Sequence, residues 1–436
     1  MRVAERVHSA CFLWKKCYVL CLGMTFALAG LGFGCAHQKP IYAPPADRVG
    51  TAPAAPPIEP AATPPQNSAI RPEFNQVKLQ ELDAAISGTI QSNLTPGVVL
   101  WIERQGLSYV KAYGNRAVDP EREEMTVETI FDAASLTKVM ATGPAILALI
   151  EDGKVGLEDP VSKHLPEFTG EGRDAITIRH LLTHTSALPA GIGGPLDWEG
   201  HAAGIKKAIA QKPTAAPDTL FRYSDVNFIL LGGIIESASG ISQDAFCEQR
   251  LFAPLGMQHT RYLPPTEWKP STAPTERVSG APLRGVVHDP TARRMGGVAG
   301  HAGLFTTSQD LARFARMLLN AGALGGVRVF QPASIDLMTR VHTPEGLPQR
   351  ALSWDINSPY AGVRGRIFPL GSYGHTGWTG CSVWIDPASQ SFVILMSNRN
   401  HPEGGNVVPL RSKVSTLAAE AMGVQAGEQP STPPSK

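Results

Sequence analysis

The stretch Phe131–Thr142, FDAASLTKVMAT, places a serine three residues ahead of a lysine at the head of an apolar run. Its meaning turns on secondary structure. On a helix, residues i and i+3 are neighbours, so Ser135 and Lys138 would face each other. On a strand they would point to opposite faces. The segment DAAS before the apolar VMATGPAILALI suits a helix start at or near Ser135, where unpaired backbone N–H groups favour an anion. The second Ser-x-x-Lys, Ser108–Lys111 in LSYVKAYG, sits in a strand-like segment, and its side chains are expected to diverge. So short a pattern also arises by chance, and a helix-capping serine is its alternative reading.

Outward from this stretch, Leu79, Leu82, Ile86 and Ile90 fall on one helical face. GVVLWIER and LSYVKAYG then read as two strands joined at the turn Gln105-Gly106. Near the other end, CSVWIDP and SFVILMSN form a second pair of apolar strands, followed by the helix-like KVSTLAAEAMG. Between them lies a long, mostly helical region rich in Gly/Pro turns. This order predicts an α/β (α+β) fold, an antiparallel sheet flanked by helices, in a folded domain of residues 73–424. The sheet lobe spans about 73–145 and 305–424 and the helical lobe about 146–304, with a cleft between them.

The flanks read differently. Arg2, Arg6, Lys15 and Lys16 precede the apolar CYVLCLGMTFALAGLGFG, which ends at Cys35, so residues 1–35 are expected to be an export signal. GFGC resembles a bacterial lipobox with Cys35 as the lipidated residue, although Gly32 stands where leucine is usual. Ala27-Leu28-Ala29 offers a second cleavage site, and a retained membrane helix is the remaining reading. Residues 36–72 are Ala/Pro/Thr-rich and are expected to form a disordered tether, and residues 425–436 a disordered tail. The net charge of +1 gives no reason to expect a nucleic-acid partner. Of six cysteines only Cys247 and Cys381 fall in the folded part, which allows one bridge at most.

Two further segments complete a pattern. FRYSDVNF supplies Tyr223-Ser224-Asp225, and YGHTGWTG supplies His375-Thr376-Gly377 just before an apolar strand. In this order and at these separations the chain resembles the serine β-lactamase and penicillin-binding-protein superfamily, in its class C and DD-peptidase branch. That family carries S-x-x-K, Y-x-N and K/H-T-G. Tyr113-Gly114-Asn115 is a better literal Y-x-N, but it precedes Ser135 and fails on order. TIRHLLTHTSALP and VHDPTARRMGGVAGHAGLFTTSQDLARF also look like family segments.

The resemblance implies a β-lactamase/transpeptidase-like fold and a serine hydrolase in which Ser135 attacks a carbonyl and forms an acyl-enzyme. Lys138 and Tyr223 are the two candidates for its base; Tyr223 is favoured, supported by Lys138. The backbone N–H groups of Ser135 and Trp378 would form the oxyanion hole. Asp225, His375, Thr376, Gly377 and Trp378 would bind or support substrate. Trp378 would sit on a strand edge beside an extended acyl group, with core packing as its alternative role. Two positions depart from the family. Asp225 replaces asparagine; it could pair with Lys138, repel an acidic substrate, or cap the helix VNFILLGGIIESAS. His375 replaces lysine, which removes a fixed positive charge and argues against an efficient β-lactamase.

The substrate class implied is cell-wall peptide, by D-alanyl-D-alanine carboxypeptidase-like or muropeptide amidase activity. Esterase and β-lactamase activity are rivals, as is a non-catalytic peptidoglycan-binding protein. The expected place of work is the cell envelope, with a lipid anchor on Cys35. No cofactor is implied. His288-Asp289 and His301 flank a Gly-rich loop and could line the cleft, without the ligand spacing of a metal site. His180 and His184, at i and i+4, lack the glutamate of a zinc protease motif and are expected to be structural.

Overall fold

The computed structural model describes residues 73–194 and 197–426. The expected signal, Cys35 and the tether lie outside the described residues, as does the tail from residue 427 onward.

Helix α1 (Gln76–Gln91) opens on Asn75, whose side chain accepts from the Lys78 N–H. Its buried residues are Leu79, Leu82 and Ile86. Strands β1 (Gly97–Arg104) and β2 (Leu107–Ala117) follow as a hairpin. Both turn residues, Gln105 and Gly106, have positive φ, which matches the right-handed twist of the paired strands. Lys111 of β2 pairs with Asp83 of α1 and not with Ser108, so the second Ser-x-x-Lys is structural. Helices α2 (Gly143–Glu151) and α3 (Asp225–Ser239) are buried elements of the helical region. The chain returns through β3 (Tyr373–Thr376), β4 (Ser382–Asp386) and β5 (Ser391–Ser397), then ends in α4 (Val408–Ala421).

Among the described residues the main sheet has eight strands, all paired antiparallel. Their order is Gln349–Arg350, Asp355–Asn357, β3, β4, β5, β1, β2, Glu123–Glu124. β1 therefore sits between the two ends of the chain, with Leu100 opposite Leu395 on one side and Lys111 on the other. Alternate side chains of a strand face opposite ways. Val98, Leu100 and Ile102 pack with Leu82 and Ile86 of α1 and Val414 and Ala418 of α4. Val99 points into the second core, with Leu136, Val139 and the helical region. Both faces of the sheet are covered, which is why GVVLWIER reads as a continuous apolar run.

Cys247 and Cys381 are both buried and unpaired, so the bridge that their count allowed does not form. Leu100 is fully buried in the cluster on the face away from Ser135. Leu100→Ala is expected to cost about 2–5 kcal/mol of stability in urea unfolding. The turnover per folded molecule should stay unchanged.

Candidate active site

Ser135 stands at a sharp turn out of a short strand. Asp132, at the end of that strand, accepts from the Ala134 N–H at 2.8 Å and also holds the His288 N–H. Burial pushes the Asp132 carboxyl up to about 6. Ala134 is left-handed, with φ of 47°, an unfavourable conformation for a residue with a Cβ. The helix begins directly after Ser135, as the segment DAAS suggested. What spacing did not foretell is a π-helical turn, Lys138–Thr142, before α2. Such turns recur at functional sites.

Lys138 is fully buried. Its Nζ lies 3.1 Å from Ser135 Oγ, 3.0 Å from the His301 carbonyl oxygen and 2.7 Å from Asp225 Oδ1. Burial acts to strip its proton, and the charges of Asp225 and Tyr223 override that, so the ammonium is held above its ordinary range. Asp225 is therefore a partner of Lys138. It is not the helix cap: that place belongs to Ser224, whose Oγ accepts from the Asn227 N–H.

The Tyr223 ring lies 5.0 Å from Lys138 Nζ and 4.4 Å from the ring of His184. His184 was expected to be only structural, and it shapes the site. It sits at the left-handed end of its helix, and its Nδ1 accepts from the Ser224 N–H at 3.0 Å. That bond requires Nδ1 to be unprotonated. Burial, then the cations Arg350 and Lys138, push the His184 pKa well down. His180 bonds to the Thr177 N–H and to Asp218 and is structural.

β3 carries His375 and Thr376 alongside this group, with the His375 ring 5.9 Å from Tyr223. Burial, with Arg350 and Lys138, holds His375 neutral, and its Nδ1 faces the Thr376 carbonyl oxygen. Gly377 presses on the turn that carries Ser135: a Cβ there would lie 2.5 Å from the Ala133 carbonyl oxygen. Trp378 is 65% exposed, which excludes the core-packing alternative. Among the described residues, the N–H groups of Ser135 and Trp378 have no partner, as oxyanion donors require.

A cleft of about 530 Å³ opens here, bounded by Ser135, Tyr223, His375, Thr376, Gly377 and Trp378. It also has residues that sequence reasoning missed: Arg350, Tyr360, Arg399 and Arg411. No spacing pattern links these arginines to Ser135. Arg350 pairs with Asp355, while Arg399 and Arg411 form no ion pair among the described residues.

His288, Asp289 and His301, which could have lined the cleft, are absent from its wall. They stand behind it. His301 Nε2 meets Asp289 Oδ1 at 2.8 Å, and the His301 backbone holds Lys138. Asp225, Asp289 and His301 approach within 4.8 Å, a spacing that could suit a metal ion. Their donors are already engaged: Asp225 holds the Lys138 ammonium and Asp289 holds His301.

Residues 82–416 match the sequence profile of the β-lactamase family. A Salmonella enteritidis PT4 protein, provisionally named D-alanyl-D-alanine carboxypeptidase, is 30% identical over 374 residues, covering 76% of this chain and 85% of that one. A β-lactamase from Sulfitobacter sp. EE-36 has a similar fold, with a TM-score of 0.65 and 22% identity over 80% of this chain and 99% of that one. EstCE1, a hydrolase with promiscuous acyltransferase activity, has a TM-score of 0.61 and 22% identity over 78% of this chain and 99% of its own.

Two tests follow from the charges. Asp225→Asn removes the carboxylate that keeps Lys138 protonated. The alkaline limb of kcat/KM is expected to move down by about one pH unit or more. A limb that stays in place would show that Asp225 does not set the Lys138 charge. His375 binds a proton far more weakly folded than unfolded, so it costs stability as pH falls below about 6.5. His375→Gln should flatten the loss of stability between pH 6.5 and 5 by up to about 1.4 kcal/mol per pH unit relative to wild type. Chemical denaturation at each pH reads this out.

Proposed function

The chain belongs to the β-lactamase family and is a serine hydrolase, and we propose that it is an exported D-alanyl-D-alanine carboxypeptidase of cell-wall peptides, anchored through Cys35. Ser135 Oγ attacks the carbonyl of the terminal peptide bond and gives its proton to Tyr223, whose ring lies 5.0 Å from the Lys138 ammonium. Lys138 itself is a poor base here, because Asp225 holds its proton in place. The N–H groups of Ser135 and Trp378 receive the developing oxyanion. Tyr223 returns the proton to the leaving D-alanine amine, and water then opens the acyl-enzyme.

The observation that carries the substrate class is Arg399. A peptide substrate ends in a carboxylate, and His375 is neutral and cannot bind it through charge. Arg399 borders the cleft beside the exposed Trp378, with its guanidinium 4.6 Å from that ring and no carboxylate partner among the described residues. It supplies the missing positive charge. Relatives that bear the carboxypeptidase name support the same substrate class. The export reading rests on the N-terminal sequence alone.

The protein and its Ser135→Ala variant would be incubated with pentapeptide muropeptides and the products weighed by mass spectrometry. Loss of one terminal alanine, only with Ser135 present, is the expected result. Release of peptide from sugar would make the protein an amidase, and turnover of short esters alone would make it an esterase. Arg399→Gln should raise KM for the peptide about tenfold and leave KM for a neutral ester within about twofold, the size of one charge-assisted hydrogen bond.

A further inference from the structure

The turn Gly377–Cys381 is held by two arginines that have no carboxylate partner among the described residues. Gly377 N–H donates to the Cys381 carbonyl at 2.7 Å and closes the turn. Thr379 Oγ1 donates to the Asp132 carbonyl at 2.8 Å and ties the turn to the strand that leads into Ser135. Arg411 reaches the turn from α4. Its Nη2 donates to Gly377 O at 2.6 Å and Cys381 O at 2.8 Å, and its Nε to Gly380 O at 3.1 Å. Arg399 Nε donates to Trp378 O at 2.6 Å.

Arg411 is 5% exposed. An uncompensated buried cation costs several kcal/mol unless its surroundings repay it. Backbone carbonyls repay part of this through charge-assisted hydrogen bonds. Burial lowers the Arg411 pKa only to about 10, so it remains a cation at neutral pH.

The bond to Gly377 O has a consequence set by covalent geometry. The carbonyl of Gly377 and the N–H of Trp378 belong to one planar peptide unit, and point in opposite directions. A cation gripping the oxygen fixes the direction of the N–H. It also draws electron density toward the oxygen, which makes the N–H a stronger donor. We propose that Arg411 is a positioning residue for the oxyanion hole: it orients and polarises the Gly377–Trp378 peptide so that the Trp378 N–H meets the oxyanion formed on attack by Ser135. The buried charge then finds its compensation in the transition state, when negative charge develops one peptide unit away. Arg399 acts on the next peptide and steadies the same turn. The proposal rests on the acyl-enzyme chemistry of Ser135 and not on the peptide substrate.

The test uses the full chain, a p-nitrophenyl ester of a short acid, and the variants Arg411→Lys and Arg411→Met. Single-turnover acylation is followed on the population that mass spectrometry shows to form the acyl-enzyme, so unfolded protein does not count. Arg411→Met should slow acylation about 10- to 100-fold with KM within about threefold, less than or equal to the loss of a whole oxyanion donor. Arg411→Lys should recover part of the rate. The infrared carbonyl stretch of the acyl-enzyme, which rises as its hydrogen bonds weaken, should shift upward in the same order. An unshifted stretch with a rate near wild type would overturn the proposal, as would a loss of active molecules with rate and stretch intact, the signature of a purely stabilising residue. If Arg411→Met yields no folded protein, the stretch and rate of Arg411→Lys decide by the same criteria. No acyl-enzyme on the wild-type protein would remove the Ser135 chemistry along with this proposal.

Discussion

Everything at the site depends on one buried ammonium. Lys138 is closed off from water and surrounded by an apolar core, where a charge is stable only if its partners are in place. Those partners come from three separate segments: Ser135 in the turn just before the helix, Asp225 at the start of α3 and the His301 carbonyl in the glycine-rich loop. Without any one of the three, the buried ammonium would lack a partner, and the residues that neutralise the charge also hold it beside Ser135.

Charge is divided across the cleft. On the side of Lys138 stand the carboxylates of Asp225 and Asp289, with Asp132 under the nucleophile turn. On the other side Arg399 and Arg411 hold the turn after β3, and Arg350, paired with Asp355, also borders the cleft. His375 stays neutral because its burial, and then the charges of Arg350, Lys138 and Arg411, oppose its protonation. A substrate with a carboxylate beyond its scissile bond would lie along this gradient with its carbonyl over Ser135. With His375 neutral, the positive charge bordering this cleft is carried by arginines.

Much of this was legible in the chain. GVVLWIER and SFVILMSN read as strands because both faces of the sheet are covered, and the structure pairs them directly. The i, i+3 spacing of Ser135 and Lys138 places them together on a helix, and the strand setting of Ser108 and Lys111 separates them. Tyr223 and His375 were found by their order along the chain. Asp225 left three roles open, since an acidic residue beside a helix start can cap it or reach elsewhere; the neighbouring Ser224 took the cap and freed Asp225 for Lys138.

Local sequence determined the elements, because these depend on contacts within one turn or on the period of a strand, and the order of three motifs along the chain singled out Ser135 and Lys138. Tertiary structure alone decided the rest. The contacts of Arg411 and of Lys138 with backbone carbonyls leave no mark on residue type, because every residue has a carbonyl. His184 and Arg399 gain their roles from segments brought together across 40 and 21 positions of sequence, to Ser224 and Trp378 respectively. The charge of Lys138 and the neutrality of His375 likewise follow from burial and from distant charges, quantities that exist only once the chain has folded.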